Sequence, residues 1–301
     1  MKQPFSPPIC FGCRCTKRQF SISTGLAILT VLGAMSAWSQ TNQVQLKMTA
    51  TPEGVRFGTL RDLPSKPLPT VFFFGGPASL TDAESQEAQQ VLGPAVLCVA
   101  LDAPAEGELR GTGEPLSLGA WRLHVDRGED IISNLTHRAK AVLDHLIQQQ
   151  ATDPAKVAVF GTSRGGYMAF HFAAVEPRVH AIAAFAPVTD LLVMTEFAGR
   201  TNDHLIRAAA ANNLADRNIW ILIGSTDHRV STTRAMQFTQ RIIEASEALG
   251  RRPGIELHVV PSDGHRVPDG SYAEAARWLL KQWHSIETLP KKNSTPKRGR
   301  K

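Results

Sequence analysis

Six short apolar runs, separated by stretches of helical spacing, constrain this chain more than any other feature. They are Thr70–Phe74, Ala95–Leu101, Val157–Phe160, Ala181–Phe185, Ile219–Ile223 and Ile255–Val260. A strand apolar on both faces must be buried on both faces. That is the condition of a parallel sheet covered by helices on either side. Helical periodicity fills the gaps, over Ala83–Val91, Glu129–Gln149, Gly166–Ala174, Asp203–Leu214, Thr232–Leu249 and Ser271–Ile286. Upstream, Val44–Met48 and Gly54–Gly58 alternate apolar and polar residues, joined by the turn Thr51-Pro-Glu-Gly54. The pattern predicts an α/β fold, a doubly wound, mostly parallel sheet with an antiparallel N-terminal start. With no internal repeat and no linker, one domain over residues 41–290 is the economical reading.

The two ends read differently from the body. Residues 1–39 carry four basic side chains and no acid, and residues 291–301 carry six and no acid. The body between them is left at a net −4 although the whole chain is +6. The basic charge therefore belongs to the ends, and the sequence offers no basic face for nucleic acid. Lys17-Arg18, the apolar stretch Leu26–Leu32 and the small residues Ala34, Ser36, Ala37 and Ser39 have the order of a secretory signal. A cut near Ala37–Gln40 predicts a secreted or periplasmic protein with no specific membrane partner. An uncleaved membrane anchor is the alternative. Cys10, Cys13 and Cys15 fall in this leader, and no nearby histidine completes a metal set. Cys98 sits in an apolar run and reads as core packing. The tail from Lys291 has nothing apolar to bury except proline, and is expected to be disordered.

Chemistry enters at Gly161-Thr-Ser163-Arg-Gly165-Gly166. This G-x-S-x-G stretch has a predicted strand directly before it and a predicted helix directly after it. That is the setting of a nucleophile elbow, in which a sharp turn lifts the serine above the sheet edge. A serine hydroxyl needs a base. Of ten histidines, His265 alone lies in a loop after the last strand and before the last helix, at the sheet's carboxyl edge. The base needs an acid to fix its tautomer. Asp227, after Ile219–Ile223, gives the order Ser, Asp, His, and Asp190 is its competitor. Two amides must hold an oxyanion. Arg164 follows the serine, and Gly76 in Phe74-Gly-Gly-Pro77 is the expected second donor, since Pro77 has no N–H. Residues 104–128 and 188–204 are placed to roof the site. Gly75, Tyr167 and Trp121 are candidate substrate contacts, with packing of the roof the alternative for Trp121. Arg122 and Arg164 either meet an acidic or sugar-like substrate or pair locally.

Taken together, Phe-Gly-Gly-Pro at 74–77, Gly-Thr-Ser-Arg-Gly-Gly at 161–166, Gly-x-x-Asp-x-x-Val at 224–230 and Asp-Gly-His at 263–265 resemble the α/β-hydrolase superfamily. The likeness is strongest to the branch of prolyl-oligopeptidase catalytic domains, dienelactone hydrolases and acetyl-type esterases. It implies the α/β-hydrolase fold, with Ser163 as nucleophile, Asp227 as acid and His265 as base, no metal and no organic cofactor. Departures are visible. Phe74 stands where the branch usually has histidine, the nucleophile is serine where dienelactone hydrolases use cysteine, and there is no room for the oligopeptidases' amino-terminal propeller. The expected activity is serine hydrolysis of small carboxylic esters through an acyl-enzyme. Alternatives are a prolyl-oligopeptidase-type peptidase acting on short peptides, an acyltransferase, and a non-catalytic binding protein of the same fold.

Overall fold

A computed structural model describes residues 45–200 and 211–288. The leader, the tail and most of the predicted helix Asp203–Leu214 lie outside the described residues. Eight strands form one sheet: β1 (Lys47–Ala50), β2 (Arg56–Thr59), β3 (Leu68–Phe74), β4 (Leu97–Leu101), β5 (Thr152–Thr162), β6 (Val179–Phe185), β7 (Asn218–Gly224) and β8 (Ile255–Val260). Their spatial order is β1-β2-β4-β3-β5-β6-β7-β8. β1 with β2 and β2 with β4 are antiparallel, and every later pair is parallel. The fold is the expected α/β-hydrolase arrangement, antiparallel start included.

The apolar runs work as the sequence requires. Along β3, Phe72 and Phe74 enter one core cluster while Val71 and Phe73 enter the other. Successive side chains point to opposite faces, so a run with no polar break feeds two cores at once. Helices α1 (Ala83–Leu92) and α7 (Ser271–Thr288) cover the face of Phe73. Helices α2 (Leu118–Asp126), α3 (Ile131–Gln148), α4 (Arg164–Val175) and α6 (Thr232–Ala248) cover the other. A short α5 (Ala211–Leu214) precedes β7.

Two elements differ from expectation. α2 stands inside the stretch expected as a polar roof, because Leu118, Trp121 and Val125 fall on one helical stripe and bury there. β5 begins at Thr152 rather than Val157, and its register against β3 shifts where Asp153-Pro-Ala-Lys156 intrudes. Pro154 has no amide to give a ladder, and the Ala155 amide turns instead to Asp153 Oδ1 at 3.0 Å. Cys98 lies in β4, buried, and burial pushes its thiol up to about 12.

Register sets the site. Phe74 pairs with Gly161, Thr162 with Phe185 and Gly224 with Val260. The carboxyl ends of β3, β5, β6, β7 and β8 therefore come level at one edge, where open α/β sheets hold their ligands.

Candidate active site

Ser163 sits between β5 and α4 with φ 55° and ψ −117°, backbone angles that a residue with a Cβ seldom adopts. The surroundings enforce them. The Ser163 amide donates to Phe185 O at 2.8 Å, and the Ser163 carbonyl accepts from Gly166 N and Val188 N, each at 3.0 Å. The glycines are steric necessities. A Cβ on Gly161 would lie 2.2 Å from Gly165 O, and one on Gly165 would lie 2.2 Å from Phe74 O. Neither carbonyl can yield, since both belong to main chain at the elbow or the β3 end. The motif's spacing is thus the spacing at which strand, turn and helix touch.

His265 comes from the loop between β8 and α7. Its Nε2 lies 3.0 Å from Ser163 Oγ and its Nδ1 lies 2.8 Å from Asp227 Oδ2. The Asp227 side chain is fully shielded from solvent. Its other oxygen, Oδ1, accepts from Arg229 N at 3.0 Å and Val230 N at 3.1 Å. A buried carboxylate needs such partners to stay charged. Here its own turn supplies two and the imidazole supplies the third. The acid and base loops are also joined to each other. Thr226 Oγ1 donates to Ser262 O and accepts from Gly264 N at 3.4 Å. Ser225 N donates to Val260 O at 2.8 Å. Asp190, the competing acid, accepts from Leu192 N at 2.9 Å and faces Arg234 at 3.8 Å, and no contact to His265 is present.

The arrangement is one hydroxyl, one imidazole and one buried carboxylate in a hydrogen-bonded line at the mouth of a strained turn. Residues 135–285 match the prolyl oligopeptidase family, a span of half the chain that includes Ser163, Asp227 and His265. The chain belongs to the prolyl oligopeptidase family. Solved structures agree in fold. Porphyromonas gingivalis dipeptidyl peptidase 4 aligns at 20% identity and TM-score 0.56 over 79% of this chain and 35% of its own, so the chain spans about a third of that protein. TT1662 from Thermus thermophilus aligns at 16% identity and TM-score 0.58 over 79% of this chain and 98% of its own. Thermogutta terrifontis esterase 2, phosphoramylated by tabun, aligns at 17% identity and TM-score 0.54 over 82% and 96%. No curated protein matches the chain. Such identities speak for the fold. With the family match they place this chain in the α/β-hydrolase superfamily.

Around Ser163 this prolyl oligopeptidase family member opens a cavity of about 390 Å³. Gly75 and Arg164 line it, as do Ser117 and Leu118 from the expected roof segment. Three expected contacts fall elsewhere. Trp121 is wholly buried, with its indole Nε1 donating to Pro104 O at 2.9 Å. Tyr167 is wholly buried too, packed against Trp121 at 6.2 Å and His171 at 4.4 Å between ring centroids. Both lie beneath the site as core and do not reach the cavity, because α2 and α4 turn those faces inward. Gly76 is buried and does not line the cavity, whereas Gly75 is exposed to it. The Gly76 carbonyl instead accepts from Ser79 N at 3.0 Å and Ser79 Oγ at 2.7 Å, which turns that residue into the helical turn Pro77–Thr81.

The arginines pair locally. Arg164 makes a two-pronged contact with Glu106, including Nη2 to Oε2 at 2.8 Å. Arg122 holds Asp126 Oδ2 at 2.6 Å and donates to Glu196 O at 3.2 Å and Ala198 O at 2.9 Å. Several lining residues escape a reading of the sequence. Arg229 lies two residues past Asp227, and Asp82 and Glu84 begin α1. Tyr272 lines the cavity from α7, stacked on Phe185 with centroids 3.9 Å apart and bonded through its hydroxyl to Thr162 Oγ1. Burial raises the Tyr272 phenol well above its ordinary value, so it stays protonated. Only Arg229 had a signal, its closeness to the acid. Among the described residues, no group of three or more His, Cys, Asp or Glu is placed to hold a metal.

Proposed function

We propose that this chain is a serine hydrolase that works through an acyl-enzyme, with small carboxylic esters as its best substrates. The observation that carries the reading is the unbroken line from Ser163 Oγ to His265 Nε2 at 3.0 Å and from His265 Nδ1 to Asp227 Oδ2 at 2.8 Å. Ser163 attacks the acyl carbon as His265 takes its proton. His265 then passes that proton to the departing alcohol. Water, deprotonated by the same imidazole, hydrolyses the acyl-enzyme and restores the serine. Asp227 fixes the Nδ1–H tautomer and stabilises the imidazolium. The amides of Arg164 and Gly75 hold the oxyanion, since Gly75 is the glycine that faces the cavity.

Hydrolysis of short peptides is the second reading, and membership of the prolyl oligopeptidase family favours it. Both readings share the acyl-enzyme and part at the leaving group. The test begins with a fluorophosphonate probe on the purified protein and on Ser163→Ala and His265→Ala. Labelling of wild type that vanishes in both variants is the expected result. An unlabelled, folded wild type would sink the assignment and favour a binding protein. Matched 4-nitrophenyl esters and aminoacyl 4-nitroanilides then separate the readings, with faster turnover of the esters expected. The leader's sequence adds export to the proposal. Amino-terminal sequencing of the protein recovered from outside the cytoplasm should find a start near Gln40.

A further inference from the structure

The charges around the cavity are arranged asymmetrically. Two arginines line it, Arg164 beside the nucleophile and Arg229 beside the acid. Each is closed by a carboxylate that does not itself line the cavity. Glu106 takes Arg164 with both oxygens. Glu196 takes Arg229 with both oxygens, Oε2 at 2.9 Å from Nη1, and Thr195 Oγ1 accepts a further bond from Arg229 Nη1 at 3.1 Å. The hydrogen bonds from Arg229 hold the Glu196 carboxyl below its ordinary range, so the pair stays ionised at neutral pH. Asp82 and Glu84 also line the cavity, and neither carboxylate has an ion-pair partner among the described residues. Two guanidiniums thus stand against four carboxylates. All four side chains of the two pairs keep at least a fifth of their surface in contact with solvent, which leaves them close enough to a substrate to be felt and screened enough to be tuned by salt.

We infer that Glu106 and Glu196 are specificity-determining residues, whose closure of Arg164 and Arg229 makes the site reject anionic substrates in favour of uncharged or cationic ones. The inference rests on the hydrolase reading above and extends it from bond type to substrate charge. An anionic substituent near the acyl carbon would meet no free guanidinium and would face Asp82 and Glu84. A cationic one would gain from both. Discrimination of this kind works by repulsion of the wrong partner as much as by attraction of the right one. An open pair of arginines on the same scaffold would favour carboxylate-bearing substrates. The two glutamates therefore decide the sign of the preference.

The test uses 4-nitrophenyl esters of one chain length, ending in methyl, carboxylate or trimethylammonium, with the full-length protein. Wild type is expected to hydrolyse the trimethylammonium ester at least as well as the methyl ester, and the carboxylate ester about tenfold worse in kcat/KM, as unit charges a few ångströms apart in largely aqueous surroundings predict. That gap should narrow in high salt. Glu106→Gln and Glu196→Gln keep an amide oxygen for the arginine and remove the charge. Each should raise the carboxylate-to-methyl ratio about tenfold, and a ratio is insensitive to how much of the variant is folded. Wild type that prefers the carboxylate ester, or ratios unchanged within about twofold in both variants, would overturn the inference while leaving the hydrolase standing. Wild type that takes no fluorophosphonate label would overturn both together. Asp82→Asn with Glu84→Gln provides a second reading, since loss of the trimethylammonium preference is expected there even if a glutamate variant fails to fold.

Discussion

The proposed nucleophile and the proposed acid–base pair are held in place by different forces. Ser163 is set by main chain alone. Its amide and carbonyl are bonded to Phe185, Gly166 and Val188, and its neighbours are glycines because carbonyls stand where a Cβ would go. Asp227 and His265 are set by side chains, through two amides on Oδ1, the Thr226 bridge and the imidazole itself. A contact enforced by sterics leaves its mark as a motif. A contact made by hydrogen bonds between loops leaves only a residue order. That difference explains why the elbow can be read from six consecutive residues, while the acid and base emerge only after the strands have been counted.

The comparison can be broken from either side. Asp227→Asn should have the largest effect, because an asparagine amide favours the wrong imidazole tautomer. A loss of about 10⁴-fold in kcat with an unchanged denaturation midpoint is expected, and a loss under about tenfold would show that Asp227 does not act on His265. Next comes Gly165→Ala, whose Cβ would press on Phe74 O at 2.2 Å. Destabilisation of ~3 kcal/mol or more is expected by urea unfolding. Gly93→Ala isolates the torsional penalty, since Gly93 has φ 67° and ψ −172° with nothing within 4 Å of its Cβ, and should cost about 1–3 kcal/mol. A cost under about 1 kcal/mol for Gly165→Ala would show that Phe74 gives way and that the elbow is not crowded there. Thr226→Val removes the bridge between the acid and base loops. About 1 kcal/mol of stability and a several-fold fall in kcat should follow, with labelling by fluorophosphonate slowed but not lost.

The smallest effect concerns the roof. His124 on α2 bonds Glu129 Oε2 at 2.6 Å and Glu114 Oε2 at 3.1 Å, which raises the imidazole above its ordinary value, and Glu114 is lowered to about 2. A raised histidine stabilises the folded form while protonated, and that contribution is lost as pH rises through its folded value. Corrected hydrogen exchange of the α2 amides should therefore quicken as pH rises above the ordinary histidine range, and His124→Gln should abolish the difference.

How much of this was legible follows the same division. The sheet was written in the runs, because burial on two faces tolerates no polar residue. α2 was hidden because Arg122, His124, Asp126 and two flanking glycines mask an apolar stripe of three residues. Trp121 and Tyr167 read as candidate contacts from their elements alone, because a sequence names an element without naming which of its faces looks at the cavity. Gly75 and Gly76 differ by one position and by opposite exposure, and only the fold separates them.

Ser163 and His265 stand 102 residues apart in the chain. In folding terms, theirs is a contact of very long range, and such contacts close late because the loop between them must first be ordered. The elbow needs only β5, α4 and β6, and all of these precede β7. The imidazole arrives with β8 and α7, which follow all of these in the chain. On the proposed reading, a chain that has not yet docked β8 carries the elbow serine with no base beside it. On that reading, docking of β8 and onset of reactivity are one event.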